Sequence, residues 1–226
     1  MEERDVTYAV SLSASDSRGR RYRRSPCLIT FSSNLRQRVF LCYRTRGRNM
    51  KTYNTNPGYE MDPQLLTHFN QHLDSLFGVY SKLLQFRMDF ADRKNTLSYR
   101  CACRYAMCAE ILRLINEVGE KLVGYAWVME YTERKGLHIH FVGYLNGQSH
   151  RSSYLVSRLM GDIWRRVTEG DGYYHWCRFN KNYPENINHV IHYSDHKAVN
   201  ALRYALSYLA KREQKECGII LKCSGL

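Results

Sequence analysis

The amino-acid sequence predicts an α+β fold, in which helices pack on one side of a central antiparallel sheet of about five strands. Residues 82–90 alternate apolar and polar side chains, as a half-buried strand does. Two apolar stretches, 122–131 and 137–145, flank the turn sequence TERKG and predict a β-hairpin. Apolar residues elsewhere recur every three to four positions, which is typical of helices that face such a sheet.

The helices have recognisable ends. Asp62-Pro63 suits the N-cap and first position of a helix that should end near Gly78. Asp195 caps a last helix that should run to about residue 214. The remaining predicted elements are helices at 98–118 and 153–167, and short strands at 173–179 and 187–193.

The N-terminal quarter of the chain differs in composition from the rest. Residues 1–60 are rich in Ser, Arg and Gly, with one apolar stretch at 39–43 that predicts a short strand. Residues 1–51 carry twelve basic and four acidic side chains, so +8 of the net charge of +13 lies there. We expect 1–60 to be a loosely structured basic arm ahead of a domain that spans 61–226.

Composition excludes several classes of protein. An apolar content of 44% disfavours a disordered chain, and no apolar run approaches the roughly 18 residues of a membrane span. The N-terminus lacks the layout of a signal peptide, so we expect a cytoplasmic protein without a membrane partner. The eight cysteines include no CxxC pair, which argues against a zinc finger.

The charge indicates a polyanionic partner. Arginine outnumbers lysine by 24 to 10, and its guanidinium binds phosphate oxygens in a bidentate way that lysine does not. Eighteen tyrosines offer rings on which unpaired bases could stack, although most tyrosines serve packing. Charge by itself does not separate DNA from RNA.

A His-x-His pair on the second strand of the hairpin predicts half of a metal site. His138 and His140 share one face of the strand, and Glu130 near the end of the partner strand could supply a carboxylate. Two histidines on an exposed strand face remain the alternative, because such a pair often arises by chance. His189 and His192 compete with Glu130 as third ligand, and Asp89 is expected to support the site rather than bind the ion.

The last helix carries a second candidate group. Tyr204 and Tyr208 lie one helical turn apart, and Lys211 follows Tyr208 by three positions. A cation beside a phenol favours the phenolate, which is a nucleophile. Ordinary packing is the alternative role for these tyrosines.

Together the two motifs resemble those of the HUH endonucleases, specifically replication initiators related to the gene II protein of filamentous phages. GLHIHFVGYLNG is similar to the family's metal motif, and RYALSYLAK to its catalytic helix. The strand QFRMDFAD, followed by a helix, occupies the place of the family's first motif. The resemblance covers about residues 80 to 215.

The resemblance implies a five-stranded antiparallel sheet with the histidines on a central strand. It implies His138 and His140 as ligands of a divalent ion, Mg²⁺ or Mn²⁺. Tyr208 would be the nucleophile, Lys211 its partner, and Tyr204 a second nucleophile. Glu130 as third ligand rests on the hairpin geometry alone.

The implied activity is site-specific nicking of single-stranded or hairpin DNA at a replication origin. It would start rolling-circle replication of a phage, plasmid or mobile island in a bacterial cytoplasm. The products would be a 5′-phosphotyrosine and a 3′-hydroxyl that primes a host polymerase. The sequence has no GxxxxGK[ST] motif, so a host helicase is expected as partner. A transposase or mobilisation relaxase, or a non-catalytic single-stranded-DNA-binding regulator, are the alternatives.

Overall fold

The computed structural model describes residues 7–10, 13–15, 21–23, 27–30, 53–178, 186–213, 215 and 221–223. The chain divides into two compact units, Met1–Arg38 and Val39–Leu226. In the first, strand β1 (Thr7–Val10) pairs antiparallel with β4 (Cys27–Thr30), and β2 (Ser13–Ser15) with β3 (Arg21–Arg23). The loosely structured arm over 1–60 stays a prediction, and the strand expected at 39–43 lies outside the described residues.

The second unit is built on one antiparallel sheet. Five strands follow one another in the order β10-β6-β7-β5-β8, and β9 also pairs with β5. Its strands are β5 (Lys82–Asp92), β6 (Gly124–Thr132), β7 (Gly136–Asn146), β8 (Gly172–Trp176), β9 (Val190–His192) and β10 (Leu221–Cys223). Its helices are α1 (Pro63–Val79), α2 (Leu97–Cys101), α3 (Arg104–Val118), α4 (Tyr154–Val167) and α5 (His196–Ser207). The predicted α+β fold class is confirmed.

Helices cover both faces of this sheet, so the expectation of helices on one side is wrong. Helices α3 and α4 pack on the face that carries Trp127 and Phe141. Helices α1 and α5 pack on the face that carries Val128 and Val142. In β7 every residue except Asn146 is buried, because apolar residues on each face of this strand pack against a helical layer. Among the described helices, none is both long and apolar enough to cross a membrane.

The helix predicted over 98–118 is two helices. Thr96 caps α2 by accepting a hydrogen bond from the backbone N–H of Tyr99. Helix α2 ends at Ala102, which has a φ of 43° and lies in the left-handed region. Helix α3 then begins at Arg104. The apolar residues that predict the helix, Ile111, Leu112, Ile115 and Val118, all lie after the break, so their pattern gives no sign of it.

The last helix is shorter than the sequence predicts. Helix α5 ends at Ser207 instead of near residue 214, and a 3₁₀ turn over Tyr208–Ala210 follows it. An antiparallel bridge between Met61 and Lys211 replaces the next helical hydrogen bonds. A chain segment more than a hundred residues away thus ends the helix, and it places Tyr208 and Lys211 on a tighter turn.

Replacing Ala102 with glycine should stabilise the protein. A left-handed conformation costs an L-residue about 1–2 kcal/mol, and glycine avoids that cost while losing somewhat more chain entropy on folding. We expect Ala102→Gly to raise the free energy of unfolding by about 0.5–1 kcal/mol in urea denaturation. Ala106→Gly, inside α3, is the matched control and should lower it by about 1 kcal/mol. A destabilised Ala102→Gly variant would contradict the described break.

Candidate active site

The hairpin of β6 and β7 assembles a group that could hold a metal ion. Glu130 lies directly opposite His138 in the strand register, and His140 follows on the same face of β7. The three side chains are buried, and one ligand atom from each lies within 4.8 Å of the others. The geometry therefore joins Glu130, inferred as third ligand from the hairpin alone, to the two histidines.

Both imidazoles are held in one orientation. His138 Nδ1–H donates to the Gly136 carbonyl oxygen at 2.9 Å, and His140 Nδ1–H donates to Asp89 Oδ1 at 2.6 Å. Both acceptors lack a proton to give, so each Nδ1 must carry the hydrogen. The opposite nitrogens face the same carboxylate oxygen: Glu130 Oε2 lies 4.0 Å from Nε2 of His138 and 3.4 Å from Nε2 of His140. Hydrogen bonds of this kind commonly orient histidine ligands towards a metal.

The turn before β7 contributes to this orientation. Gly136 has a φ of 71°, a conformation that favours glycine. A Cβ atom at Gly136 would also lie 2.5 Å from the Tyr99 ring. Glycine therefore allows the turn, and the same residue's carbonyl oxygen fixes the His138 ring.

Glu130 is a buried carboxylate among nitrogen groups. Its Oε1 accepts a hydrogen bond from Lys215 Nζ at 2.9 Å, and its Oε2 lies 3.2 Å from Lys211 Nζ. Burial opposes its ionisation, but His140 and Lys215 lower the pKa of Glu130 to about 2. Glu130 Oε2 is buried and faces Lys211 and both imidazoles without a well-formed hydrogen bond. Two imidazole nitrogens and this oxygen are a donor set that fits a divalent metal.

Asp89 lies next to the candidate metal group, which consists of Glu130, His138 and His140, and contacts it through His140. Burial works against the ionised form of Asp89, yet His140, Arg87 and Lys135 together lower its pKa to about 2. For His140, burial is outweighed by the hydrogen bonds to Asp89 and Glu130, and its pKa is raised. Asp89 therefore sits as an ionised partner behind His140, the supporting position expected from sequence.

Lys211 connects the metal group to a tyrosine. Its Nζ donates to the Tyr208 hydroxyl oxygen at 3.0 Å and approaches Glu130 Oε2 at 3.2 Å. The Tyr208 ring also lies against His140, with 5.7 Å between ring centres. Burial disfavours the charged amine, but Tyr208 and Glu130 raise the pKa of Lys211, so it is an ammonium at neutral pH. The Lys211 ammonium thus contacts both the tyrosine and the candidate metal group.

A cleft of about 430 Å³ opens beside these residues. Tyr204 and Tyr208 both line it, together with His140. Its charged lining residues are three cations and one anion, namely Arg87, Lys135, Arg178 and Asp89. The cleft therefore offers positive charge next to a tyrosine hydroxyl, which suits a phosphate group.

The alternative third ligands lie elsewhere. His189 is exposed, and His192 pairs with Lys82 at the start of β5, whereas His140 pairs with Asp89 near its other end. The His192 ring hydrogen-bonds to Ser194. Within the part of the chain that the structure describes, the metal-binding group contains neither histidine.

Sequence reasoning missed several residues that support the tyrosine. Asn56 donates its backbone N–H to the Ser207 hydroxyl at 3.1 Å, and the Tyr59 ring packs edge-on against Tyr208 at 5.6 Å. Both belong to residues 53–60, which the composition groups with the basic arm and which carry no periodic signal. Lys215 was also missed, because a lysine after a predicted helix gives no sign of burial.

Comparison of the chain with family models, with curated proteins and with solved structures gives no match. The relation to the HUH endonucleases accordingly stays a prediction from the two motifs.

A divalent ion should bind once per chain. We expect Mn²⁺ titration by calorimetry to show one site that is lost in His140→Ala and Glu130→Gln, because each removes a ligand. Asp89→Asn should weaken binding about 10- to 100-fold, since it removes the carboxylate that orients His140. His189→Ala is the matched control and should bind as wild type does. Unchanged Mn²⁺ binding in Glu130→Gln would contradict the ligand set.

Lys215 should stabilise the metal-free protein through Glu130. Lys215→Met leaves a buried carboxylate with one cation fewer and should lower the free energy of unfolding by about 2–4 kcal/mol. Adding Glu130→Gln to Lys215→Met should restore part of this loss, because the unpaired charge is gone. Saturating Mn²⁺ should likewise recover stability in the single variant. Strictly additive effects in the double variant, measured by urea denaturation, would show that the two residues are not coupled.

Proposed function

We propose that this protein is a metal-dependent DNA endonuclease with a tyrosine nucleophile, which starts rolling-circle replication of a phage, plasmid or mobile island. One observation carries the proposal: Lys211 Nζ lies 3.0 Å from the Tyr208 hydroxyl and 3.2 Å from Glu130 of the metal-binding group. If the histidines were merely solvated and the tyrosine merely packed in the core, a buried lysine would not be needed between Glu130 and Tyr208.

The substrate class follows from the cleft. Arg87 and Lys135 line it near His140, and the Arg87 guanidinium lies 5.3 Å from the centre of the Tyr208 ring. A phosphodiester between these cations would stand within reach of the Tyr208 oxygen. We infer that the substrate is single-stranded or extruded DNA at an origin, because the backbone of a single strand can enter such a cleft without a partner strand.

The metal, Mg²⁺ or Mn²⁺, would be held by Glu130, His138 and His140, and when bound it supplies positive charge that polarises the scissile phosphate. Tyr208 loses its proton to cleft water, and the Lys211 ammonium stabilises the resulting negative oxygen. That oxygen forms a bond to phosphorus, and the bond from phosphorus to the 3′ oxygen breaks. The 3′ oxygen takes a proton from water, which leaves a 3′-hydroxyl and a 5′-phosphotyrosine.

Lys211 acts here as a charge partner, not as the base. Its raised pKa keeps it protonated at neutral pH, so it has no free electron pair with which to accept the phenol proton. Charge attraction to the tyrosine oxygen and to the phosphate is the contribution that remains. In this scheme Lys211 also transfers no proton between the metal-binding group and Tyr208.

Tyr204 suits the role of a second nucleophile. It lines the same cleft one turn before Tyr208, while the hydrogen bond from Lys211 goes to Tyr208. A second tyrosine would form the covalent bond to DNA in the step that ends the replication cycle. The free 3′-hydroxyl would be extended by a host polymerase, behind a host helicase, in the bacterial cytoplasm.

Tyr208→Phe should abolish the first nick. A labelled single-stranded oligonucleotide containing the origin, incubated with Mn²⁺, should give a detergent-stable adduct with the wild type and none with Tyr208→Phe. Tyr204→Phe is the matched control and should keep the adduct, since it leaves the tyrosine beside Lys211. Peptide mapping of the adduct identifies the attacking residue.

Other outcomes of this experiment are equally informative. An adduct on Tyr204 would reverse the order of the two tyrosines. Undiminished cleavage by the double variant, or in excess chelator, would refute the proposed mechanism. A salt-sensitive complex without any adduct would instead indicate a non-catalytic DNA-binding protein.

A further inference from the structure

Strand β8 presents two exposed rings on the same face of the sheet as the metal group. Tyr173 and His175 are two positions apart, so their side chains share a face. In the strand register Tyr173 lies opposite Ala91, and His175 lies opposite Asp89. Tyr173 is 39% exposed, and His175 is also exposed.

The register relates these rings to the metal ligands. Ala91 and Asp89 pair on their other side with His138 and His140. Tyr173 and His175 therefore occupy the same two rows of the sheet as the two histidine ligands, two strands away. Two strand spacings are about 10 Å, which a short stretch of single strand can span.

Positive charge lines the cleft that contains both His175 and the proposed nucleophile Tyr208. His175 lines the cleft together with Arg178 and Lys135. The Arg178 guanidinium is stacked 4.2 Å from the centre of the Trp176 ring, which holds this cation beside the end of β8. Rings with adjacent cations are the combination that binds unpaired bases and the phosphates between them.

We propose that Tyr173 and His175 form a stacking platform for unpaired bases of the DNA strand that enters the cleft. Arg178 binds a phosphate of that strand. The proposal rests on the proposed function for the identity of the strand, but the rings would bind it whether or not it is cut. A duplex does not fit the platform, because its bases are stacked on one another and are not free to stack on protein rings.

The test uses the full chain in chelator, so that no cleavage occurs. We expect Tyr173→Ala to weaken binding of a single-stranded oligonucleotide about fivefold or more, measured by fluorescence anisotropy. Tyr173→Phe should bind as wild type does, because the ring face is kept. Tyr105→Ala is the matched control: Tyr105 is 74% exposed on α3, which packs on the opposite face of the sheet, and its loss should have no effect.

Two further readouts separate stacking from charge. An oligonucleotide carrying 2-aminopurine should lose fluorescence when bound, and this quenching should be smaller with Tyr173→Ala and with His175→Ala. Arg178→Gln should flatten the salt dependence of binding, whereas Tyr173→Ala should leave the slope unchanged.

Each outcome distinguishes the platform from the nickase. Wild-type affinity and quenching in Tyr173→Ala and His175→Ala would overturn the platform, even if a covalent adduct forms in Mn²⁺. Weakened binding in these variants, with no adduct from the wild type under any metal, would uphold the platform and refute the nickase. Equal loss of duplex binding in Tyr173→Ala would also overturn the platform.

Discussion

The buried charge of Glu130 is the constraint on which the site depends. A carboxylate that is 1% exposed is stable only if surrounding groups compensate for its lost hydration. Two lysines of the segment after α5 and the ring of His140 on β7 supply that compensation. Because Lys211 also donates a hydrogen bond to Tyr208, the electrostatic requirement of one glutamate brings the candidate metal ligands and the tyrosine together.

The sheet provides the rigidity that such a group needs. Strands β6 and β7 are buried on both faces, so neither Glu130 nor the histidines can shift without disturbing two helical layers. The site lies near the turn end of this hairpin, at the edge of the core. At this position charged and polar side chains lie next to packed apolar ones and also border a cleft.

The positions of Tyr208 and Lys211 in the site do not follow from the helical periodicity of α5 alone. The helix stops at Ser207, and Tyr208 and Lys211 lie on the turn and bridge that follow. Residues 56–61 hold this turn: the Asn56 N–H donates to the Ser207 hydroxyl, the Glu60 carbonyl accepts from the Arg212 N–H, and Met61 forms the bridge to Lys211. A segment that the composition assigns to a basic arm is thus a structural part of the candidate active site.

The sequence by itself determined the α+β class and the hairpin, and it indicated Glu130 as a residue that could lie across the hairpin from the two histidines. These depend on local alternation and on a short turn, which fix register over a few residues. It also placed Tyr208 beside Lys211, since a spacing of three residues brings side chains together in either kind of helical turn.

Tertiary structure alone decided the second helical layer, the end of α5, and the burial of Lys215 against Glu130. Each depends on contacts between residues far apart in the chain, and no local pattern encodes which distant groups will meet. For the same reason the sequence could not show that His189 and His192 lie outside the candidate metal-binding group of the described residues, because spacing along the chain does not say which row of the sheet a residue occupies. The fold class follows from periodicity, whereas the site follows from which buried charges the folded chain brings together.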